Sequence, residues 1–367
     1  MHDSATPPPP SAPTKQQDDF AGIPIVANYH GIVFFIIIFV TLYVARGFLL
    51  PVFAALLLSY ALAPAVRMIL HLRVPRVLAA FIVVTVATAA FAYGIFALSG
   101  PAVSLLENAP ESFDKLGKLA QALKRPVENM NAASEQLNEM TQGQKKNRPV
   151  VVQMEESGLG NLILSQTPIV LGAIISTLIL LFFLLAFGHL LLKRAVEISP
   201  RLSDKKRVIE TARQIESSVS QYLVTVSLIN AGLGACVSLA LFLLGFPNPI
   251  IWGVLAGALN FIPYLGAVAG VCLLTFASFS ITDTLEYALI YPAAYLALTL
   301  IEGNFVTPLI LGRSFTINPI FIILVLLFLG WLWGIPGAIM AVPLLVAVKS
   351  AAQEFERTHS LAVLLSK

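Results

Sequence analysis

The apolar residues of this 367-residue chain fall in long uninterrupted runs, and the charged residues fall in blocks between them. Residues 217–282 form 66 consecutive positions without Asp, Glu, Lys or Arg, and residues 314–348 form another 35. The hydrocarbon core of a bilayer is about 30 Å thick and is crossed by about 20 helical residues, so the first run is long enough for two spans. This pattern is typical of a protein that crosses a membrane several times.

The runs predict helices rather than strands. They are rich in Leu, Ile and Phe and lack the period-2 alternation of a transmembrane barrel strand. In lipid every backbone amide must bond internally, which leaves helices or closed barrels. We therefore predict an all-α, polytopic transmembrane helical bundle of about eight spans. The predicted segments are 25–46, 48–70, 77–99, 165–191, 221–244, 249–276, 284–305 and 318–348.

Lys and Arg in the short links predict the orientation, because these residues are enriched in cytoplasmic loops. The links 71–76 and 193–213 are both basic. Eight spans then place both termini in the cytoplasm and the polar stretch 101–164 outside, as a small helical extracytoplasmic insertion. The predicted divisions are a disordered cytoplasmic tail at 1–24, transmembrane helices at 25–100, the insertion at 101–164, a fourth transmembrane helix at 165–192, a cytoplasmic amphipathic helix at 193–220, the remaining transmembrane helices at 221–349 and a cytoplasmic tail at 350–367.

Composition excludes several classes of function. Hydrophobic residues make up 57% of the chain and charged residues 12%, well below the roughly one-quarter typical of soluble domains. A net charge of +3 is too small to indicate a nucleic-acid partner. Cys236 and Cys272 lie inside apolar runs, and no motif for a disulfide framework, a metal or a cofactor is present. The absence of a phosphate-binding loop or a hydrolase motif predicts a protein that is not an enzyme.

Helix breakers interrupt the sixth segment between Asn260 and Gly266. Pro263 lacks a backbone donor and obstructs the carbonyl four residues earlier. Carbonyls exposed at membrane depth are tolerated only where they face protein or a watery cavity. Together with Asn260 and Tyr264, these carbonyls predict a polar site on a substrate or ion pathway. The alternative is that small residues and breaks here serve only close helix packing.

The last segment contains a second break. One straight helix over its 35 uncharged residues would be about 52 Å long, far more than the hydrocarbon core. Gly334, Pro336 and Gly337 supply a hinge at which the segment either bends or folds back as a hairpin. The basic residues of the C-terminal tail favour a bent span, because that arrangement keeps the tail in the cytoplasm.

Glu302 lies between these two breaks and is the one acid predicted to lie inside the membrane. Asn304 and Pro308 follow it in the same apolar stretch. Ionisable residues at membrane depth are costly and usually mark a pathway, a relay or an ion pair. The alternative is that Glu302 lies near the outer headgroups and pairs with Arg313 or caps a neighbouring helix. The sequence leaves both readings open.

The motifs of the C-terminal third resemble those of the bacterial autoinducer-2 exporter family. They are LGFP at 244–247, LNFIPYLGAVAG at 259–270, IEGNFVTPLILGRSFTINP at 301–319 and GIPGAIMAVPLL at 334–345. Two positions depart from the family pattern, namely Ala267 in place of a proline and Pro336 within the last glycine pair. The resemblance implies an inner-membrane protein of eight spans that exports small solutes, and some members of the family resemble Na⁺ or Li⁺/H⁺ antiporters.

Three functions follow from these features. The first is an inner-membrane secondary transporter that exports a small polar signal or metabolite, with Asn260 and Tyr264 on the path and Glu302 coupling protons. The second is a cation/proton antiporter that uses Glu302 as the shared carboxylate. The third is a non-transporting scaffold whose stretch 101–164 binds an envelope partner. The expected partners are a small solute or ion, the lipid bilayer and a further copy of the chain, but no nucleic acid.

Overall fold

The computed structural model describes residues 25–107, 117, 157–198, 202–282, 284–312 and 317–353. Its regular elements within these ranges are helices, which confirms the predicted all-α class. They are α1 (Ile25–Val44), α2 (Arg46–His71), α3 (Arg76–Glu107), α4 (Ser157–Ile198), α5 (Leu202–Leu243), α6 (Pro249–Leu259), α7 (Leu265–Ile281), α8 (Leu285–Ile301), a π-helical turn (Glu302–Val306), α9 (Thr307–Leu311) and α10 (Pro319–Gln353).

The chain divides after Arg46 into two compact units, and α1 belongs to the first of them. All the sites described below lie in the second unit. The predicted tail at 1–24 and most of the predicted insertion at 101–164 lie outside the described residues. The predicted cytoplasmic helix at 193–220 overlaps the start of α5, which continues without a break from Leu202 into the membrane-spanning region.

By length and composition alone, six helices within the described ranges could cross a membrane. They are Arg46–His71, Arg76–Ala97, Pro168–Ile198, Lys205–Leu243, Glu286–Leu311 and Pro319–Gln353. Large apolar side chains such as Phe91, Phe183 and Phe242 are exposed on their outer faces, as expected where lipid is the solvent. The multi-pass helical class is thus confirmed, whereas the count of about eight spans is not.

The sixth predicted segment, 249–276, is two short helices rather than one broken span. With 11 residues, α6 is about 16 Å long and cannot cross the hydrocarbon core. The Leu259 carbonyl lies where a Cβ on Gly266 would be. Residues far from this turn, Trp252 on α6 and Leu274 on α7, still line one small cavity. The two helices are therefore antiparallel limbs of a hairpin, which we call the first hairpin.

The bent span predicted for the last segment is wrong, because α10 folds back at Gly334. The backbone there has φ 69° and ψ −151°, which interrupts the helix. A Cβ on Gly337 would lie 2.1 Å from the Leu329 carbonyl oxygen, and one on Gly330 would lie 3.8 Å from the Ala338 Cβ. In a continuous helix such pairs, eight residues apart, would be about 12 Å apart. We call the two limbs, 319–333 and 335–353, the second hairpin.

The two hairpins share two short sequence motifs at matching positions. Asn-Pro-Ile begins each of them, at 248–250 and 318–320, and Ile-Pro lies at each tip, at 262–263 and 335–336. Proline suits the first turn of a helix, since the amide that it lacks would have no intrahelical partner there. Each tip is followed by a buried glycine that touches a carbonyl of the preceding limb. The predicted hinge residues are therefore the turn of a hairpin.

A seam of small residues joins α5 to α6. A Cβ on Gly253 would lie 2.2 Å from the Gly234 carbonyl oxygen, and one on Gly257 would lie 2.7 Å from the Asn230 carbonyl oxygen. The pairing runs in opposite directions along the two helices, so α5 and α6 are antiparallel. Membrane helices associate largely through such close packing, because lipid offers little hydrophobic drive between them. The seam holds the short α6 at a defined height on α5.

We expect Gly253→Ala to destabilise the protein by about 2 kcal/mol, because the added methyl overlaps backbone that cannot move aside. A thermal unfolding midpoint measured in detergent should fall by several degrees. The control is Gly232→Ala on the exposed face of α5, where a Cβ meets nothing within 4 Å. That change should be neutral or stabilising, since alanine favours helix over glycine. Equal midpoints for the two variants would contradict the seam.

Candidate functional site

Glu302 lies where α8 changes into a π-helical turn. Pro308 cannot donate a backbone hydrogen bond, and its ring would clash with the carbonyl four residues earlier in a regular helix. The chain widens instead, and the Thr307 amide bonds to the Glu302 carbonyl five residues back. Single π turns of this kind occur frequently at functional sites.

The wide turn brings the Thr307 side chain over Glu302. In a regular α-helix, residues five apart point about 140° away from each other and cannot meet. In the π turn, the Thr307 hydroxyl donates a hydrogen bond to Glu302 Oε1. Glu302 is buried, with 9% of its surface exposed.

Two asparagines from other elements complete the site. Asn260, which ends α6 at the tip of the first hairpin, donates from Nδ2 to Glu302 Oε2 at 3.3 Å. The same nitrogen lies 2.9 Å from Asn230 Oδ1 on α5. The glycine seam explains this proximity, since Gly257 packs against the Asn230 backbone. We call Asn230, Asn260, Glu302 and Thr307 the Glu302 cluster.

The groups around Glu302 are neutral. Among the described residues, no Lys or Arg forms an ion pair with this carboxylate, and both of its oxygens accept hydrogen bonds from uncharged donors. A buried charge without a partner of opposite charge is expensive. The Asn230 Nδ2 atom is also buried and has no hydrogen-bond partner within the described chain. The cluster thus gathers carboxylate, amide and hydroxyl oxygen atoms, the atoms that small hard cations prefer as ligands.

Two of the predicted site residues meet in this cluster, namely Asn260 and Glu302. The other five do not, and three of these, Tyr264, Asn304 and Pro308, are exposed. Tyr264 is 57% exposed. Asn304 is exposed and donates to the Leu300 carbonyl of its own helix at 2.8 Å. Pro308 is exposed as well, and it acts through the backbone by imposing the π turn.

The first hairpin satisfies its own backbone at the tip. The carbonyl that Pro263 obstructs is that of Leu259, and it accepts a hydrogen bond from the Ile262 amide at 3.0 Å. The backbone of the tip therefore satisfies this carbonyl, and its place on a pathway stays a prediction. Gly266 is buried, and its missing side chain lets the turn close against Leu259. Pro263 and Gly266 therefore shape the tip of the hairpin and contribute no polar side chain.

Tyr264 has a strained backbone. Its φ of 62° and ψ of −51°, with a hydrogen bond from the Leu265 amide to the Pro263 carbonyl at 2.7 Å, form a γ-turn of the rare kind with positive φ. A bulky residue at positive φ is unusual, and such strain clusters at functional sites. Tyr264 lies four residues after Asn260, so the strained turn is part of the hairpin tip that brings Asn260 into the Glu302 cluster.

The cluster members Asn230 and Thr307 were not among the predicted residues. A signal for Asn230 exists in the sequence, because Asn230, Gly234 and Ser238 repeat every four residues and match the spacing of Gly253 and Gly257. Such spacing marks a close helix crossing. Thr307 precedes Pro308, which indicates a disturbed turn. Neither signal identifies the partner side chain.

The described residues contain no group of three or more His, Cys, Asp or Glu that could hold a metal ion.

Comparison with known proteins places this architecture in a family. The chain is 29% identical over 322 residues to the AI-2 transport protein TqsA of Escherichia coli K12, covering 88% of this chain and 90% of that protein. It is 26% identical to the candidate transport protein YueF of Bacillus subtilis, covering 82% of each chain. The family model for AI-2E family transporters matches residues 32–357. The protein, a multi-pass helical membrane protein, thus belongs to the AI-2E transporter family.

Proposed function

We propose that this protein is a secondary transporter of a bacterial inner membrane that exports a small polar solute, and that Glu302 couples this export to protons. The observation that carries the proposal is the buried Glu302 carboxylate, which accepts hydrogen bonds from two neutral donors, Asn260 at the end of α6 and Thr307 in α9. A carboxylate without a cationic partner is stable at membrane depth when protonated and must find a partner when it is not. Release and uptake of a proton would therefore change what the site can bind.

The position of Glu302 supports this role over a headgroup-level ion pair. Glu302 lies about 24 Å along the helix from Glu286, which is exposed in the first turn of α8. Glu302 is also nine residues, about 14 Å along the helix, from the other end of the candidate span Glu286–Leu311, which supports a position inside the bilayer. The carboxylate is also engaged on both oxygens, by Asn260 and Thr307.

We further propose that the two hairpins enter the membrane from opposite sides. The basic link 71–76 is cytoplasmic by charge. Counting onward, α3 leads outside, α4 returns, α5 leads outside, the first hairpin re-enters from there, and α8 crosses back. The second hairpin then enters from the cytoplasm and leaves the C-terminus there. With two spans replaced by hairpins, the number of crossings stays even, so both termini remain cytoplasmic. Arg313, which the eight-span arrangement puts outside, is then on the cytoplasmic side. Interrupted helices in corresponding positions of two halves are a pointer to a transport site.

The class of solute is proposed from a relative. TqsA, named as an AI-2 transport protein, shares 29% identity over most of both chains. Autoinducer-2 is therefore the first solute to test.

A cation/proton antiporter is the second candidate. The Glu302 cluster contains the oxygen atoms of a carboxylate, two amides and a hydroxyl, which are the ligands that hard cations prefer. In that case Na⁺ or Li⁺ would replace the proton on Glu302. The scaffold hypothesis involves residues 101–164, and it would be favoured by an absence of flux for every solute together with partner binding through that stretch.

We expect Glu302→Gln to abolish coupled proton movement, because glutamine keeps the shape and one oxygen of the side chain but cannot exchange a proton. The measurement uses proteoliposomes that contain a pH-sensitive dye and receive a pulse of autoinducer-2, Na⁺ or Li⁺. A response to autoinducer-2 favours the exporter, and a response to Na⁺ or Li⁺ favours the antiporter.

The matched control is Glu286→Gln, which removes an exposed carboxylate from the same helix. It should respond like the unmodified protein. If Glu302→Gln transports at the normal rate, Glu302 has no coupling role.

We expect Thr307→Val to slow transport about tenfold, because the hydrogen bond from the hydroxyl to the carboxylate is lost while the side-chain volume is kept. Thr307→Ser should restore most of the rate, since it restores the donor. Thr177→Val is the control, because the Thr177 hydroxyl bonds only to the Ala173 carbonyl of its own helix. Equal rates for the valine and serine variants at position 307 would rule out the hydroxyl as the cause.

A further inference from the structure

An open cavity of about 510 Å³ lies between α2 and α5, apart from the Glu302 cluster. Its polar lining comes from the last turns of α2 and from the region of α5 where the charged residues end and the uncharged run begins. The polar lining residues are Arg67, Arg213, Glu216, Ser217, Ser220 and Gln221.

The charge of this lining is positive. Arg67 lies 3.5 Å from Glu216, and that ion pair is neutral as a unit. Arg213 adds a second guanidinium to the wall, and no carboxylate pairs with it among the described residues. A guanidinium presents several donors in one plane and binds carboxylate or phosphate oxygens in pairs. The cavity is therefore complementary to an oxyanion.

The uncharged lining extends this complementarity. Ser217, Ser220 and Gln221 supply hydroxyl and amide groups beside the two arginines, and Ser220 is itself buried. Cavities of about 300–1,000 Å³ are typical of small-molecule sites. Ser220 lies ten residues before Asn230 on the same helix, which is about 15 Å along the axis. The cavity thus opens near the charged end of α5 and is separated from the Glu302 cluster by fewer than three helical turns.

We propose that this cavity is the entry site for the transported solute and that it selects small solutes carrying an oxyanion group, such as a phosphate or carboxylate, beside hydroxyl groups. The inference rests on the proposed transport function for its role, because it names the class of solute. Glu216 competes with the solute for Arg67. Binding of the anion therefore weakens the ion pair and frees the Glu216 carboxylate.

The competition between Glu216 and the anion predicts that substitutions at neighbouring residues change the affinity for the anion in opposite directions. Arg213→Gln and Arg67→Gln each remove a cation and should weaken anion binding at least tenfold. Glu216→Gln removes the competing carboxylate and should tighten binding by about fivefold, as expected for the loss of one partly screened negative charge. A merely structural role for the ion pair would make Arg67→Gln and Glu216→Gln change binding in the same direction.

The test is a titration of inorganic phosphate onto the full chain in phosphatidylcholine nanodiscs, without any gradient. The control is Arg194→Gln, since Arg194 pairs with Glu197 on α4 and does not line the cavity. The expected result is saturable phosphate binding that is weaker in the two arginine variants, tighter in Glu216→Gln and unchanged in the control. Absence of saturable binding, or equal affinities for all the variants, overturns the proposal.

A second arm separates a free solute from a lipid headgroup, which carries the same phosphate chemistry. The titration is repeated in nanodiscs that contain phosphatidylglycerol. An unchanged phosphate affinity supports a free solute. A marked loss of affinity assigns the site to the lipid and overturns its role in solute entry.

Failure of this inference is distinguishable from failure of the transport proposal. Glu302→Gln should leave phosphate binding unchanged, because Glu302 does not line the cavity. Binding that follows the arginines with no flux of any solute would leave the site standing and remove the transport role. Flux that depends on Glu302, without phosphate binding that depends on Arg213, would support the transport proposal and overturn the cavity as the entry site.

Discussion

The backbones of α5 and α6 approach each other along Gly234, Gly253 and Gly257, where a side chain on either helix would overlap the other. With 11 residues, α6 is too short to cross the bilayer, and only its packing against a longer helix can hold it at membrane depth. In lipid this packing comes from close contact and hydrogen bonds rather than from the hydrophobic effect. The seam fixes the register of the two helices, and that register sets Asn260 beside Asn230.

The Glu302 cluster follows from the same contact. Asn260 reaches both Asn230 and Glu302 only because the tip of the first hairpin is held at one height on α5. On the opposite side, Pro308 disturbs α8 and the π turn swings Thr307 over the carboxylate. Irregular backbone in a membrane is tolerated where its polar groups are satisfied within the protein. Here the Leu259 carbonyl bonds to the Ile262 amide and the Glu302 carbonyl bonds to the Thr307 amide.

The helix α5 connects two polar regions of different chemistry. Near its charged end it contributes Arg213 to the cavity beside α2, and at Asn230 it contributes to the buried Glu302 cluster. The proposed secondary transport would use both regions, because binding energy from one solute must change the affinity for the other. The small residues that follow Asn230 let α5 pack against the first hairpin, so any movement of that hairpin would alter the Glu302 cluster.

The sequence by itself determined the helical membrane class, the family and the positions of both helix breaks, and it singled out Asn260 and Glu302, two side chains that the structure brings into contact. These depend on local properties, namely the length of apolar runs, the missing amide of proline and the cost of a carboxylate in lipid. It did not determine the two hairpins, because a broken apolar segment of about 30 residues fits a bent span as well as a folded pair. Only the contacts of Gly266 with Leu259 and of Gly337 with Leu329 decide between them. Nor could the sequence supply Asn230, Thr307 or the cavity at Arg213. Their roles come from side chains that meet across a helix seam, a widened turn and a gap between α2 and α5, and these meetings exist only once the helices have packed.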